Sequence, residues 1–286
     1  MLSLQLLANG LVTGSALGVV AISFSLVYAT TKIFHVAHAG IYSMGGYVAW
    51  TLVARGVPDV VALALAMATC AAVGALIQHQ LYHRLEARRA THLVVLIASL
   101  GALAVIQNII AALFSPNILQ FPGAWAGGVA ALGGVRLTNA QLATLASSVL
   151  AYAGVMWFAH GTLLGGRMRA VASNPFLAEI TRLAPKNVYV IVIAIASAVV
   201  CVPGVMIAYD QGLQPYNGIT VLLTATIAMI AGGVGSITGA FVLSVAIAVL
   251  QNLSLLVIPG EWSIGVTFFI FVIFMLWRPR GLFAAA

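Results

Sequence analysis

Apolar segments about as long as a membrane-spanning helix recur from one end of this 286-residue sequence to the other. A bilayer core about 30 Å thick needs roughly 20 apolar residues per helix, and a helix satisfies its own backbone hydrogen bonds where lipid offers none. Apolar residues make up 63% of the chain and charged residues 6%, which excludes an ordinary soluble domain. The sequence therefore predicts an all-α, polytopic transmembrane helix bundle, with residues 1–286 forming a single membrane domain.

The apolar stretches predict about nine spans. They cover residues 6–29, 38–53, 60–78, 92–114, 140–160, 188–209, 218–250 and 262–277. The stretch 218–250 is too long for one crossing at about 1.5 Å of rise per residue, and the glycines in AGGVGS at 231–236 provide a break between two short spans. An eight-span arrangement remains open, in which 38–53 is re-entrant or one half of 218–250 does not cross.

Basic residues are concentrated in a few short segments between these spans, and the positive-inside rule places such segments in the cytoplasm. The segments contain Arg84, Arg88 and Arg89, then Arg167, Arg169, Arg182 and Lys186, and finally Arg278 and Arg280. The loops around Arg136, Asp210 and Glu261 carry few charges and are expected outside. This topology places the N-terminus outside and the C-terminus in the cytoplasm. It also explains the net charge of +7 without a nucleic-acid partner.

The remaining general features are consistent with a membrane domain. The first residues, MLSLQLLANG, lack the basic region of a cleaved signal peptide, so we expect them to belong to the mature protein. The two cysteines, Cys70 and Cys201, lie in apolar segments, where packing is expected rather than a disulfide or a metal site.

Two glycine patterns predict close helix packing. Gly10, Gly14 and Gly18 recur every four residues in the first span, and Gly235 and Gly239 repeat the spacing. Small residues at this spacing let two helix backbones approach closely in lipid.

The segment 161–187 is the most informative polar region. Its apolar residues follow a helical spacing that is interrupted at Asn174 and Pro175, so we predict two short amphipathic helices, with Asn174 capping the second and Pro175 at its first position. Basic residues occupy the other face. Two interpretations remain open: the helices lie on anionic lipid, or they dock into a groove on a cytoplasmic partner.

Several sequence blocks together resemble those of LivH-type permeases, the membrane subunits of ABC importers for branched-chain amino acids and related small polar solutes. The blocks are NGLVTGSALGVVAISFSLVYAT (9–30), HVAHAGIYSMGGYVA (35–49), SLGALAVIQN (99–108), GGRMRAVASNPFLAEI (165–180), AGGVGSITGA (231–240) and RPRGLF (278–283). They span nearly the whole chain in the order typical of the family.

This resemblance implies a bacterial inner-membrane subunit with several partners. These are a LivM-like second permease or a second copy, two cytoplasmic ATPases and a periplasmic solute-binding protein, besides membrane lipid. The segment 161–187 would be the coupling helix that meets an ATPase, through Arg167, Arg169, Asn174, Pro175, Glu179 and Arg182. The chain itself would be non-catalytic and bind no cofactor, with ATP and magnesium held by the partners, since GGVGSITG lacks the lysine of a nucleotide-binding loop.

Two histidines, His35 and His38, interrupt the apolar sequence at the inner end of the first spans. In the family block, which typically reads like NFAHG followed by an acid, His38 matches the histidine, His35 replaces the asparagine and Gly40 replaces the acid. Three roles remain open: hydrogen bonds that hold a break between helices, a translocation pathway or gate, and metal binding by an HxxH pair. The pathway or gate candidates are Asn9, His35, His38, Gln107 and Asn108.

Two other function classes are alternatives. An ion-coupled secondary transporter or a channel would need buried carboxylates or a ring of charge, whereas Asp59, Asp210 and Glu261 are all predicted at loops or span ends. An intramembrane hydrolase would need a nucleophile and a base at membrane depth, and Ser236 has no evident partner in the sequence.

Overall fold

The computed structural model describes residues 2–121, 128–132, 134–278 and 281–283. These residues form a bundle of helices. The helices are α1 (Leu2–Thr31), α2 (His38–Ala54), α3 (Asp59–Ile77), α4 (His83–Ala87), α5 (His92–Phe114), α6 (Asn139–Gly161), α7 (Leu163–Ser173), α8 (Pro175–Ile180), α9 (Pro185–Gln211), α10 (Asn217–Gly232), α11 (Ile237–Ser254) and α12 (Ser263–Trp277). A π-helical turn, Gln78–Tyr82, joins α3 to α4, and a 3₁₀ turn, Gly260–Trp262, precedes α12.

Among the described residues, seven helical segments are long and apolar enough to cross a membrane, judged by length and composition. They are Leu2–Thr31, Asp59–Ala87, His92–Phe114, Asn139–Gly161, Pro185–Gln211, Ile237–Ser254 and Gly260–Trp277. The prediction of a polytopic helix bundle is therefore confirmed. The two shorter helices are α2, with 17 residues, and α10, with 16 residues. They occupy the two stretches, 38–53 and the first half of 218–250, for which the sequence did not decide whether the helix crosses the whole membrane.

The long stretch 218–250 breaks where its glycines predicted. Helix α10 ends at Gly232 and α11 begins at Ile237, and Gly233 and Gly235 in the connection have positive φ values of 101° and 89°. Such backbone conformations favour glycine because it has no Cβ. Gly235 therefore lies in a turn and not on a helix face, which corrects its assignment to a helix-packing pair with Gly239. The Gly235 N–H donates to Ser25 Oγ at 3.3 Å.

The predicted inner and outer loops gather at opposite ends of the bundle. One end, which we call the basic end, carries Lys32, Arg84, Arg88, Arg89, Arg167, Arg169, Arg182, Lys186 and Arg278, together with Glu86 and Glu179. Arg280 lies outside the described residues. The opposite end, which we call the hairpin end, carries Arg55, Asp59, Arg136, Asp210 and Glu261.

A small antiparallel hairpin distinguishes the hairpin end from the otherwise helical structure. It consists of β1 (Val129–Leu132) and β2 (Val135–Thr138), within the segment that the sequence predicted only as a loop. The side chain of Gln5 secures it, because it donates to the Arg136 carbonyl at 2.8 Å and accepts from the Arg136 N–H at 2.9 Å. The hairpin is thereby fixed to the start of α1.

Close packing between α1 and α11 forms the middle of the bundle. A Cβ at Gly10, Gly14 or Gly18 would lie 2.6–2.7 Å from an atom of Val249, Val245 or Phe241, respectively. The residue numbers of the three contacts decrease along α11 as they increase along α1, so the two helices run antiparallel. Gly239 permits a further close approach, at the α10–α11 turn, where its Cβ would lie 2.3 Å from the Gly232 carbonyl oxygen.

The segment after α12 returns to the bundle at the basic end. The N–H groups of Leu282 and Phe283 donate to the carbonyls of Ala231 and Gly232 at 3.0 and 3.1 Å. These carbonyls belong to the last turn of α10, where the helix supplies no partner of its own. The segment thus completes the hydrogen bonding of α10 from a distant part of the chain.

Candidate functional site

A cavity of about 270 Å³ lies between α1, α2, α9, α10, α11 and the start of α12. Its lining at the hairpin end comes from helix termini, including Gln211, Asn217 and Ser263. Its deepest lining residues, Val20 and Tyr42, lie well inside their helices. The cavity therefore extends from the hairpin end into the interior of the bundle.

The walls of this cavity differ in polarity. Asn217, Thr220 and Thr224 on α10 line it at spacings of three and four residues, which places them on one face of the helix. The facing wall comes from α1 and α9. Its deeper part is aliphatic, with Ala16, Leu17, Val20, Pro203 and Ile207, and it carries the polar residues Thr13 and Gln211 nearer the hairpin end. Between the walls, Gln251 Nε2 donates to Ser263 Oγ at 2.6 Å. No charged side chain lines the cavity within the described part of the chain.

A much smaller pocket, of about 20 Å³, adjoins this cavity at the first turn of α10. The two share Tyr42, Ile207 and Asn217 in their linings. Ser43 also lines the small pocket; it is only 5% exposed, and its Oγ has no hydrogen-bond partner among the described residues. No side chain there caps the first turn of α10 either. Unused hydrogen-bonding groups therefore meet at one corner of the cavity.

The two histidines lie beyond the deep end of the cavity, in a buried hydrogen-bond network. His38 Nε2 lies 2.9 Å from Ser23 Oγ, and the Ser23 hydroxyl donates to the Val20 carbonyl. Since a hydroxyl has one proton to donate, His38 Nε2 must carry the hydrogen of the first bond. Ser23 lies one turn past Val20 on α1, and His38 lies one turn before Tyr42 on α2. The His38–Ser23 pair thus lies about one helical turn from the deep end of the cavity, toward the basic end.

His35 extends this network to α5. His35 Nδ1 lies 2.6 Å from the Tyr82 hydroxyl, which donates to Ser99 Oγ at 2.7 Å. Ser99 Oγ also accepts from the Ala37 N–H at 3.0 Å. These bonds hold the break between α1 and α2 against the π-helical turn and α5, as the structural interpretation of the histidines expected.

Both imidazoles are fully buried, and their rings lie 5.5 Å apart. His35 Nε2 and His38 Nδ1 have no hydrogen-bond partner among the described residues. His35 lies between the two spans, and burial lowers its pKa to about 3 because an imidazolium loses its hydration there. His35 is therefore neutral at physiological pH.

The other pathway candidates lie away from the cavity. Asn9 accepts from Gln5 Nε2 at 3.1 Å near the hairpin end of α1. Gln107 is buried on α5, and Asn108 is exposed and donates to the Ala104 carbonyl of its own helix. None of the three is among the described residues that line the cavity. Sequence reasoning missed the lining residues Thr220, Thr224, Gln251 and Ser263.

A second candidate surface lies at the basic end, where α7 and α8 form the two short helices predicted for segment 161–187. Asn174 Oδ1 accepts from the Leu177 N–H at 3.0 Å, and Pro175 is the first residue of α8, as predicted. Met168 and Val171 of α7 are buried against the bundle. Helix α7 therefore anchors α8 to the membrane domain.

Helix α8, by contrast, presents its large apolar residues to the outside, while Ala178 is buried. Phe176, Leu177 and Ile180 are 72%, 59% and 65% exposed. A groove of about 640 Å³ lies beside them, and its lining includes Glu86 and Lys186. The six residues that the resemblance assigned to coupling, Arg167, Arg169, Asn174, Pro175, Glu179 and Arg182, are all exposed on this surface.

Comparisons with known proteins agree with this architecture. Residues 6–275 match the family described as "Branched-chain amino acid transport system / permease component". The chain is 26% identical to the high-affinity branched-chain amino acid transport system permease protein BraD of Pseudomonas aeruginosa, over 98% of this chain and 95% of that protein. It is 25% identical to LivH of Escherichia coli K12, a protein of the same description, over 98% and 94%.

A solved structure shares the fold at low sequence identity. It is described as PsaBC from Streptococcus pneumoniae in complex with Fab, and one of its chains matches with a TM-score of 0.50 and 14% identity, over 96% of this chain and 91% of that chain. The family match extends over nearly the whole membrane bundle and includes both candidate surfaces. The chain therefore belongs to the family of permease components of branched-chain amino acid transport systems.

Proposed function

We propose that this chain is a membrane-spanning permease subunit of an ABC importer that moves small amino acids, branched-chain ones first, into the cytoplasm of a bacterium. The names of the relatives BraD and LivH support this substrate class. The expected partners are a LivM-like permease or a second copy, two ATPases that hold ATP and magnesium, and a periplasmic solute-binding protein. This chain would bind no cofactor and catalyse no reaction.

The distribution of charge supports an orientation in the inner membrane. The basic end collects most of the described Lys and Arg residues, and such loops remain on the cytoplasmic side. We therefore assign α7, α8 and the end of α1 to the cytoplasmic side, and the hairpin end and the N-terminus to the outside. The cavity then opens outward, toward the side on which a binding protein releases solute.

The exposed apolar face of α8 carries the proposal of energy coupling. Phe176, Leu177 and Ile180 are exposed although α7, in the same segment, is packed on the bundle. A short apolar helix face rimmed by charge is typical of a helix that docks into a groove on a partner. Because α7 contacts α1, α6 and α9, movement of α8 with an ATPase would be transmitted to the helices of the bundle.

Co-purification under mild conditions tests this function. The chain is solubilised from its native membrane, and the co-purifying proteins are identified by mass spectrometry. We expect ATPase subunits and a second permease, and ATP-driven uptake of L-leucine after reconstitution with the binding protein. A chain that purifies alone and moves solute with an ion gradient would support the secondary-transporter alternative.

A charge placed on α8 tests the docking surface. Leu177→Asp changes an exposed side chain, so the bundle should fold normally while the ATPases are lost from the complex. Val257→Asp is the matched control, because Val257 is 87% exposed but lies at the hairpin end. Equal retention of the ATPases by both variants would contradict the assignment of α8 as the coupling helix.

A further inference from the structure

We infer that the cavity between α1, α9 and α10 is a solute-binding site within this single subunit, which takes a small zwitterion with a short aliphatic side chain. The inference deepens the proposed function and rests on it for the direction of transport. It assigns to the cavity a ligand chemistry that follows from its walls, its neutral lining and its unused hydrogen-bonding groups.

The two walls select an amphiphilic solute. The face of α10 offers Asn217, Thr220 and Thr224, whereas the deeper part of the facing wall offers aliphatic groups such as Leu17 and Ile207. A solute that is polar at one end and aliphatic at the other buries both parts against matching surfaces. A purely polar solute would leave the aliphatic wall unmatched.

The neutral lining selects against a net charge. A buried ion that lacks a paired charge is strongly disfavoured, and no charged side chain lines this cavity within the described residues. A zwitterion has no net charge, and its two groups can be satisfied by dipoles and hydrogen bonds. The volume of the cavity, about 270 Å³, lies slightly below the usual range of about 300–1,000 Å³ for pockets that hold larger ligands.

The corner at the first turn of α10 is suited to the carboxylate. The first N–H groups of a helix lack intrahelical partners and carry partial positive charge. Here they lie beside Ser43, whose hydroxyl is buried and unpartnered; a Cβ added at Gly218 would lie 2.7 Å from its Oγ. A carboxylate at this corner would accept hydrogen bonds from these N–H groups and from the Ser43 hydroxyl, for which no described side chain is an acceptor.

The ammonium group can then be held by neutral oxygens farther along the same cavity. Thr224 and Tyr42 are among the lining residues and each carries a hydroxyl. Gln251 uses its amide nitrogen on Ser263, which leaves Oε1 as an acceptor. The His38–Ser23 pair lies about one helical turn farther toward the basic end.

Binding to the purified full-length chain in lipid nanodiscs tests the site. The probes are radiolabelled L-leucine and two competitors with the same branched chain and one charge each, 4-methylpentanoate and 3-methylbutylamine. We expect saturable binding of leucine and at least roughly tenfold weaker competition by either analogue, since each lacks one charged group. Competition equal to that of unlabelled leucine would overturn the assignment of a zwitterion.

Two threonines on α10 provide a matched pair of variants. Thr224 and Thr226 each donate to the carbonyl four residues earlier, but only Thr224 is among the residues that line the cavity. We expect Thr224→Val to weaken leucine binding roughly three- to tenfold, as for a lost hydrogen bond, and Thr226→Val to leave it unchanged. Thr220→Leu, which narrows the cavity, should also weaken binding. Equal affinities in all three variants would overturn the site.

ATP-driven uptake by the complete assembly separates this inference from the proposed function. Normal uptake by Thr224→Val and Thr220→Leu would overturn the cavity as the transport site and leave the permease function intact. Failure of the wild-type assembly to use ATP would overturn the proposed function instead. Uptake lost in these two variants but retained in Thr226→Val would support both.

Discussion

Helices α1 and α12 are both apolar enough to span a membrane, yet they occupy opposite environments. In the most apolar window of α1, 89% of the residues are buried within the protein, against 6% in α12. Helix α1 contains Gly10, Gly14 and Gly18, whereas α12 is composed largely of bulky aliphatic and aromatic residues. In lipid, hydrophobicity does not distinguish the centre of a bundle from its rim, because the surrounding solvent is equally apolar. Small and polar residues make that distinction here.

The largest test of this contrast compares two glycines. A Cβ at Gly14 would lie 2.7 Å from the Val245 Cα, whereas one at Gly101 on α5 would meet nothing within 4 Å. We expect Gly14→Leu to separate α1 from α11 and to destabilise the protein by about 3 kcal/mol or more, and Gly101→Leu to have little effect. Thermal unfolding in detergent measures both. Equal melting temperatures for the two variants would refute the close packing of α1 on α11.

A smaller effect is expected at the histidine network. His38→Ala removes a buried ring and leaves Ser23 without that partner, so we expect a loss of about 2 kcal/mol. His79→Ala is the control, because His79 is exposed on the π-helical turn. The variants are compared by unfolding midpoint. If His38→Ala matches the wild type while its leucine uptake becomes independent of ATP, the pair acts as a gate without stabilising the fold.

The smallest expected effect is a dependence on pH. The pKa of His35 in the folded protein, about 3, lies below its usual value of 6.5. Between these two pH values the unfolded chain binds a proton at His35 and the folded protein does not. Stability is therefore greatest above pH 6.5 and falls at lower pH, by at most about 1.4 kcal/mol per pH unit. His35→Asn should flatten this dependence between pH 7.5 and 5.5. An unchanged slope would show that other groups dominate it.

The sequence predicted those features whose signals are local. The break between α10 and α11 follows from glycines that adopt positive φ, and the start of α8 follows from Asn174 and Pro175, whose capping roles need no tertiary contact. The grouping of the loops also followed from charge, since the loops predicted on one side do gather at one end of the bundle.

The cavity could not be predicted in the same way, because it depends on how each helix is rotated. Thr224 lines the cavity, whereas Thr226, two residues later on α10, is not among the described lining residues. On a helix, side chains that are two residues apart in sequence are related by a rotation of about 200°. Both threonines look alike in sequence, and only the packing of α10 against its neighbours distinguishes them.

The return of the segment after α12 to α10 has a consequence for biosynthesis. The Ala231 and Gly232 carbonyls receive the N–H groups of Leu282 and Phe283, which lie beyond two further helices in the chain. While the ribosome is still translating α11, the end of α10 therefore lacks these two donors. Its native hydrogen bonding is completed only after α12 and the segment that follows it have left the ribosome, so residues made two helices later secure a turn made much earlier.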